Sequence, residues 1–229
     1  MNILAIETST SLCSVALSQN SSITEESLNV VGKHSSAIFE QISSVLSQVK
    51  LGIRDIDRVV LSAGPGSYTG LRVGSSAIKG LLFGQNCDLF AANTLAGFAL
   101  STVDSTKPGK IRVLAMIDAR RQHAYSQSFE ITVGSSHEIH IESLNKAAIR
   151  TLTEISQTLL PSDVVVGTGM SRLPESLPTD CVLHPIEKVS ARGLITLNDV
   201  ALRHPSEEFI RKVDIESFEP DYMSGATWQ

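Results

Sequence analysis

The sequence predicts an α/β layered fold with a mostly parallel sheet, organised as two loosely related halves. Strand-like apolar runs alternate with helical patterns along most of the chain, which is typical of helices packed on parallel strands. Each half opens with two strand-like runs that are joined by a short polar turn. A polar stretch at residues 105–110, rich in turn-forming residues, lies between the halves. We therefore predict two lobes related by duplication, at residues 1–104 and 105–229.

The first half begins with a predicted β-hairpin, whose strands lie near residues 2–6 and 14–17. Residues 58–63 form an apolar run of strand length, which favours a strand buried on both faces. Apolar residues within 35–49 recur at three- and four-residue spacing, as on one face of a helix. The remaining predicted elements are strands at 22–28 and 88–92, a helix at 71–83 and a helix with Thr94 as its N-cap.

The second half repeats the opening hairpin, with predicted strands at 111–117 and 123–131. The polar residues 214–229 are expected to form a tail that packs on the body or on a partner. The other predicted elements are strands at 137–141 and 163–166 and helices at 144–160 and 190–202.

The composition is that of a folded globular protein. The 229 residues are 42% hydrophobic and carry a formal net charge of −5, which excludes disorder for the bulk of the chain. The acidic balance disfavours a general nucleic-acid binder, and an aromatic content of 5% disfavours a base-stacking platform. Cys13, Cys87 and Cys181 form no CxxC pair, so we expect free thiols. No signal peptide or membrane-spanning run is evident, so we expect a cytoplasmic protein without membrane contact.

The most informative motif is the glycine-rich segment at residues 64–74, with the sequence GPGSYTGLRVG. Its glycines permit tight turns and close backbone approach, and Ser67 or Thr69 can cap the following helix, whose N-terminus favours anions. The spacing matches neither the phosphate-binding P-loop nor the dinucleotide-binding fingerprint. On spacing alone, a turn without a ligand is favoured over a binding loop. The residues expected to contact any ligand are Glu7, Thr8, Gly64, Gly66, Ser67, Thr69, Gly70 and Arg72.

The helix after this segment combines small and large apolar residues. Gly70, Gly74, Ala77 and Gly80 recur on neighbouring turns, although glycine inside a helix costs about 1 kcal/mol relative to alanine. Such glycines indicate close packing, either on the protein's own sheet or on a helix of a partner chain, and the residues favour neither. If a partner binds there, the predicted contacts are Ile38, Ile42, Val45, Leu71, Gly74, Ile78 and Leu82.

Three parts of the chain together resemble the TsaB (YeaZ) family of tRNA threonylcarbamoyladenosine biosynthesis proteins. The first is residues 3–10 (ILAIETST) with residues 13–17 (CSVAL), and the second is the glycine-rich segment. The third combines residues 117–120 (IDAR), Tyr125, residues 167–169 (GTG) and residues 219–222 (EPDY). The likeness is stronger in the N-terminal half. Where the family often has an arginine after the last motif, this chain has Met223-Ser224.

The resemblance implies the actin-like and Hsp70-like ATPase fold, also called ASKHA or ribonuclease H-like, with two related lobes of mixed sheets. It implies a non-catalytic partner of the transferase TsaD, acting with TsaE- and TsaC-type enzymes. Together these install threonylcarbamoyl on the adenosine beside the anticodon of tRNAs that read codons beginning with A. The family likeness further implies dimerisation through N-terminal-lobe helices, with TsaD or a second copy, and only indirect contact with tRNA. No catalytic residue, metal or cofactor is expected in the chain itself, with room left for a nucleotide at a partner interface.

The residues favour an incomplete nucleotide site. Residues 7–10 (ETST) can hold phosphate or magnesium, and residues 167–169 form a weak adenosine-type turn, but the second lobe's acidic loop, residues 118–121 (DARR), has no glycine. The six histidines form no HxxxH pair of the kind that binds metal in TsaD, and His137 and His140 would face opposite sides of a strand. Two alternatives stay open, an ATP-dependent small-molecule kinase and a glycoprotease-like peptidase acting on TsaD.

Overall fold

The computed structural model describes residues 1–29 and 34–222, and its strands form two mixed sheets of six strands each. In the first sheet three parallel strands lie in the centre and antiparallel strands lie at the edges. The strand order of this sheet is β12 (Ile210–Val213), β5 (Asp88–Asn93), β4 (Arg58–Gly64), β1 (Ile3–Glu7), β2 (Leu12–Gln19) and β3 (Ser22–Asn29).

The second sheet repeats the pairing scheme of the first. Its order is β11 (Val182–Pro185), β10 (Val164–Gly167), β6 (Gly109–Asp118), β7 (His123–Val133) and β8 (Ile139–Ser143), with β9 (Ala148–Thr151) also paired to β7. The order β5-β4-β1-β2-β3 thus corresponds to β11-β10-β6-β7-β8, and each corresponding pair is parallel or antiparallel in the same way. This correspondence supports the predicted duplication. The last strand, β12, lies in the segment predicted as the second lobe but pairs with β5 of the first sheet.

Within the described residues, five α-helices cover these sheets, and α3 and α5 lie between them. One core cluster therefore spans both sheets and includes Val60 of β4, Phe98 of α3, Phe129 of β7 and Ile195 of α5. A second cluster lies beneath α1 and α2 on the other face of the first sheet, and a third lies beneath α4. The helices are α1 (His34–Gln48), α2 (Tyr68–Leu82), α3 (Thr94–Leu100), α4 (Leu152–Thr158) and α5 (Arg192–Arg203).

Several sequence predictions need correction. The prediction of a mostly parallel sheet is wrong, because the hairpin strands pair antiparallel and both sheets are therefore mixed. The N-cap of α3 is Asn93, whose side chain accepts from the Ala96 N–H, whereas the Thr94 hydroxyl accepts from the Gly64 N–H. Neither β11 nor β12 was predicted, since each is a four-residue strand with little pattern of its own.

The predicted helix at residues 144–160 is also wrong over its first half. Asn145 is bonded to β7 through both its side chain and its backbone, and β9 then pairs with the same strand. The helix begins only at Leu152, where Thr151 and Glu154 form a reciprocal capping box. Across the two described ranges, no helix is both long and apolar enough to cross a membrane.

Candidate functional site

The glycine-rich segment connects β4 to α2 and packs against two other parts of the chain. Gly64 lies against the backbone of Asp221, whose N–H donates to the Ala63 carbonyl at 2.7 Å. Gly64 has a φ of 128°, a conformation that side-chain-bearing residues rarely adopt. The segment with the EPDY sequence near the C-terminus therefore covers the end of β4, and any side chain at position 64 would displace it.

The other glycines of the segment face the turn between β1 and β2. A Cβ atom at Gly70 or Gly74 would collide with Thr8, whose hydroxyl donates to the Gly70 carbonyl at 2.9 Å. A Cβ atom at Gly66 would collide with Ser9, whose carbonyl accepts from the Ser67 N–H at 2.6 Å. Gly70 and Gly74 thus serve close packing within the chain itself. The predicted contact of Gly74 with a partner stays a prediction.

A cleft of about 540 Å³ lies beside this packing, where β1 and β6 end. Such carboxyl ends of strands are where α/β folds place their ligands. The Ser67 side chain accepts from the Gly70 N–H and caps α2 at the rim of the cleft. Hydroxyl groups dominate the remaining lining, and His34 bonds the Thr10 carbonyl at 2.9 Å. The lining includes Ser9, Thr10, Gly66, Ser67, Thr69, Asp118, Arg120 and Thr168.

The two acidic loops at the cleft are both engaged inside the protein. Glu7 is buried, and burial raises the pKa of its carboxyl to about 7, against hydrogen bonds from Ser9 and Ser62 that lower it. Asp118 forms an ion pair with Arg172 and accepts from the Arg120 N–H at 2.8 Å. Among described residues that line the cleft, Asp118 is the sole acid. The cleft therefore offers hydroxyl groups and a helix N-terminus to an anion, and little to a magnesium ion.

The loop after β6 has an unusual backbone. Arg120 and Arg121 have φ values of 71° and 52°, in the left-handed region that glycine occupies most easily. Arg120 lines the cleft. The turn at Gly167 and Gly169 packs on β6 at Met116 and Asp118, and Thr168 accepts from the Asp118 N–H.

The structure separates the predicted ligand contacts into two groups. Glu7, Thr8, Gly66, Ser67, Thr69 and Gly70 meet at the cleft or directly beneath it. Arg72 lies outside the cleft on the exposed face of α2, with its guanidinium over the Tyr68 ring at 4.2 Å and its Nε donating to the Tyr222 hydroxyl. Gly64 contacts Asp221 instead.

The predicted anchors for a partner lie in the protein's own core. Ile38, Ile42, Val45, Ile78 and Leu82 are at most 4% exposed and pack between the helices and the first sheet, and Leu71 of α2 is 1% exposed. These side chains are therefore taken up by the chain's own core, and their predicted contact with a partner stays a prediction. The helical periodicity located the most apolar face of each helix, and that face binds the sheet.

A different apolar surface is exposed on the same two helices. We call it the α1/α2 face, and it consists of Ser35, Phe39, Tyr68, Thr69, Arg72, Val73 and Ser76. It encloses a groove of about 510 Å³, with Phe39 47% and Tyr68 53% exposed. The sequence offered one signal for this surface, because Phe39 falls outside the buried stripe of α1 and beside Glu40. Tyr222 contacts Tyr68 from the C-terminal segment, which no local pattern predicts.

Comparisons with known proteins agree on one family. A family profile described as TsaD, tRNA N6-adenosine threonylcarbamoyltransferase, matches residues 28–173. The chain is 32% identical over 176 residues to the tRNA threonylcarbamoyladenosine biosynthesis protein TsaB of Escherichia coli (strain K12), covering 76% of this chain and 74% of that protein. The chain belongs to the TsaB family.

Other matches extend this assignment over nearly the whole chain. The TsaB of Buchnera aphidicola subsp. Baizongia pistaciae is 24% identical, and the match covers 92% of this chain and 95% of that protein. The solved structure of YeaZ from Pseudomonas aeruginosa superimposes with a TM-score of 0.76, covering 96% of this chain and 99% of that one at 23% identity. The two-lobed ASKHA-like fold implied by the sequence resemblance is thereby confirmed. The TsaB-family position where Met223-Ser224 departs from the usual arginine lies outside the described residues.

Proposed function

We propose that this TsaB-family chain acts in threonylcarbamoyladenosine biosynthesis on tRNA, as a non-catalytic partner of a TsaD-type transferase. The E. coli relative is named for this biosynthesis, and the identity to it extends over three quarters of both chains. The observation that carries the partner role is the α1/α2 face, an exposed apolar surface whose helices are already packed on their own sheet. The role belongs in the cytoplasm, where tRNA is modified.

The likeness to TsaD supports a related protein as the occupant of this face. The TsaD profile matches residues 28–173, a span that includes both α1 and α2. A TsaD-type protein therefore carries a related pair of helices, and two related surfaces can pair across a pseudo-twofold axis. By the same reasoning a second copy of this chain occupies the face when no transferase is present. A TsaE-type ATPase joins the complex through surfaces other than this one.

The state of the cleft supports a role without turnover. A kinase needs carboxylates that are free to hold magnesium and phosphate, whereas Asp118 is paired with Arg172 and Glu7 is buried. We propose that any nucleotide in the complex is held mainly by the partner. The kinase alternative makes the opposite prediction, tight binding and turnover of Mg·ATP by the isolated chain, which calorimetric titration measures.

The partner role is tested by one substitution at the centre of the groove. Phe39→Glu places a charge in the apolar surface and is expected to weaken binding to the TsaD-type transferase by roughly tenfold or more. Phe83→Glu is the matched control, because Phe83 is 78% exposed and does not line the groove. Equal affinities for the two variants, measured by calorimetry with the purified transferase, would contradict the proposed face. Loss of binding in both variants would show that the effect of Phe39→Glu is not specific to the groove.

A further inference from the structure

A cluster of two histidines and one glutamate lies far from the cleft, where the edge of the second sheet meets the end of α5. Glu138 Oε1 is 3.4 Å from His204 Nε2 and 3.9 Å from His140 Nε2. The two imidazole rings are tilted against each other with their centroids 4.3 Å apart. One potential ligand atom from each residue lies within 4.8 Å of the others. This spacing suits a small divalent cation.

The backbone around the cluster is held by regular structure on both sides. His140 lies in β8, paired with Thr132 of β7, and the Glu138 carbonyl accepts from the Gly134 N–H at 2.8 Å. His204 follows the last residue of α5, and its N–H donates to the Val200 carbonyl at 2.8 Å. His140 therefore lies in β8, Glu138 directly before that strand and His204 directly after α5, so little ordering is needed to bring the three side chains together.

The donor set determines the class of cation. Two imidazole nitrogens and one carboxylate oxygen suit Zn²⁺, whereas Mg²⁺ and Ca²⁺ prefer oxygen ligands. Tetrahedral zinc with bonds of about 2.0–2.2 Å separates its ligand atoms by roughly 3.3–3.6 Å. The Glu138–His204 distance of 3.4 Å lies in this range, and the Glu138–His140 distance of 3.9 Å needs only a small side-chain shift to reach it. Both histidines are about half exposed, which leaves the remaining coordination position to water. Glu142 and Glu208 line one pocket with His140 and His204 and add negative charge around the two imidazoles.

We propose that Glu138, His140 and His204 bind one zinc ion and thereby join β8 to the end of α5. Because α5 also packs on β1, β2 and β4, the ion braces the second sheet against the helix that covers the first. The sequence prediction of no metal site relied on histidine spacing. That spacing could not reveal the site, because His204 is 64 residues from His140 in the chain. His137, which was predicted on the same strand, lies in the turn before β8 and bonds the Ser105 carbonyl.

The proposal is tested by titrating zinc into the tag-free, chelator-treated full chain at pH 7.5. All samples carry Cys181→Ser, which removes the most exposed of the three thiols as a competing ligand. We expect one zinc per chain, a higher melting temperature with zinc than without, and at least roughly tenfold weaker binding in His204→Ala and His140→Ala. His184→Ala removes a histidine outside the cluster and is expected to bind zinc as the parent does.

Three outcomes would overturn the proposal. The first is binding no tighter than about millimolar, and the second is equal binding by the parent and both cluster variants. The third is a loss of binding in His184→Ala that matches the loss in His204→Ala. Circular dichroism of the metal-free variants separates loss of a ligand from loss of the fold. If His204→Ala fails to fold, His204→Gln carries the same test with a side chain of similar size.

Discussion

Glycines of the β4–α2 segment leave room for backbone or side-chain atoms from elsewhere in the chain. Gly64 receives the Asp221 backbone, while Gly70 and Gly74 receive Thr8. Gly80 differs from these, because nothing lies within 4 Å of a Cβ atom built there. Contacts within the chain therefore explain Gly70 and Gly74, which belong to the stripe of small residues that suggested a helix–helix interface. They do not explain Gly80.

The first residue-scale prediction separates these glycines. Gly74→Leu forces a side chain against Thr8 and Leu61 and is expected to lower the free energy of unfolding by about 1–3 kcal/mol. Gly80→Ala enters open space in a helix and is expected to raise it by about 0.5–1 kcal/mol. Urea unfolding measures both. A Gly74→Leu protein with parental stability and impaired partner binding would instead indicate that Gly74 contacts a partner chain.

The second residue-scale prediction concerns Glu7. Burial raises the pKa of its carboxyl from 4.5 to about 7, so the folded protein keeps a proton that the unfolded chain releases. Protonated Glu7 therefore makes its full contribution to the free energy of unfolding below about pH 4.5. As the pH rises to about 7, the free energy of unfolding falls by on the order of 3 kcal/mol. Glu7→Gln keeps the side chain neutral and should remove this decline, as urea unfolding between pH 5 and 7.5 will measure.

The control for Glu7 is a carboxylate on the surface. Glu40 is exposed on α1, and Glu40→Gln should keep the parental pH dependence. If Glu7→Gln and the parent lose stability in parallel between pH 5 and 7.5, the buried carboxyl is charged throughout that range and the assignment is wrong.

Among the strands and helices, sequence patterns located those whose conformation depends on their own residues. Apolar runs located β1, β4 and β5, and helical periodicity located α1 and α2 to within a few residues, because these elements are buried on one or both faces. Patterns failed where distant contacts decide the conformation, as at Leu144 and Asn145, which bond to β7. The same limit applies to the site. The glycine loop was visible in sequence, but the pairing of Asp118 with Arg172 was not.

The capping box at Thr151 and Glu154 is expected to stabilise the start of α4. Thr151 accepts from the Glu154 N–H, and Glu154 accepts from the Thr151 N–H and hydroxyl. Thr151→Ala removes this cap and is expected to cost about 1 kcal/mol of stability. Thr153→Ala, at an exposed position inside the same helix, should change stability by a few tenths of a kcal/mol at most. Similar losses for the two variants in thermal unfolding would show that the cap does not start this helix.

At the scale of the whole molecule, the two halves repeat one topology but differ in what they expose. The first sheet carries α1 and α2 with the exposed apolar α1/α2 face. In the second sheet, Asp118 at the end of β6 forms an ion pair with Arg172. The net charge of −5 agrees with the proposed role, in which a partner binds the phosphates of tRNA. The molecule thus combines two sheets of one topology with a cleft whose acidic residue is paired with an arginine and with an exposed apolar face, the proposed docking surface.

The central claim, a partner role exerted through the α1/α2 face, is tested most directly by the threonylcarbamoyladenosine content of tRNA. Cells that depend on this chain are supplied with the parent, Phe39→Glu or Phe83→Glu, and their tRNA nucleosides are quantified by mass spectrometry. We predict normal modification with the parent and with Phe83→Glu, and a severalfold loss with Phe39→Glu at equal protein levels. Full modification with Phe39→Glu, or in cells that lack the chain altogether, would contradict the account.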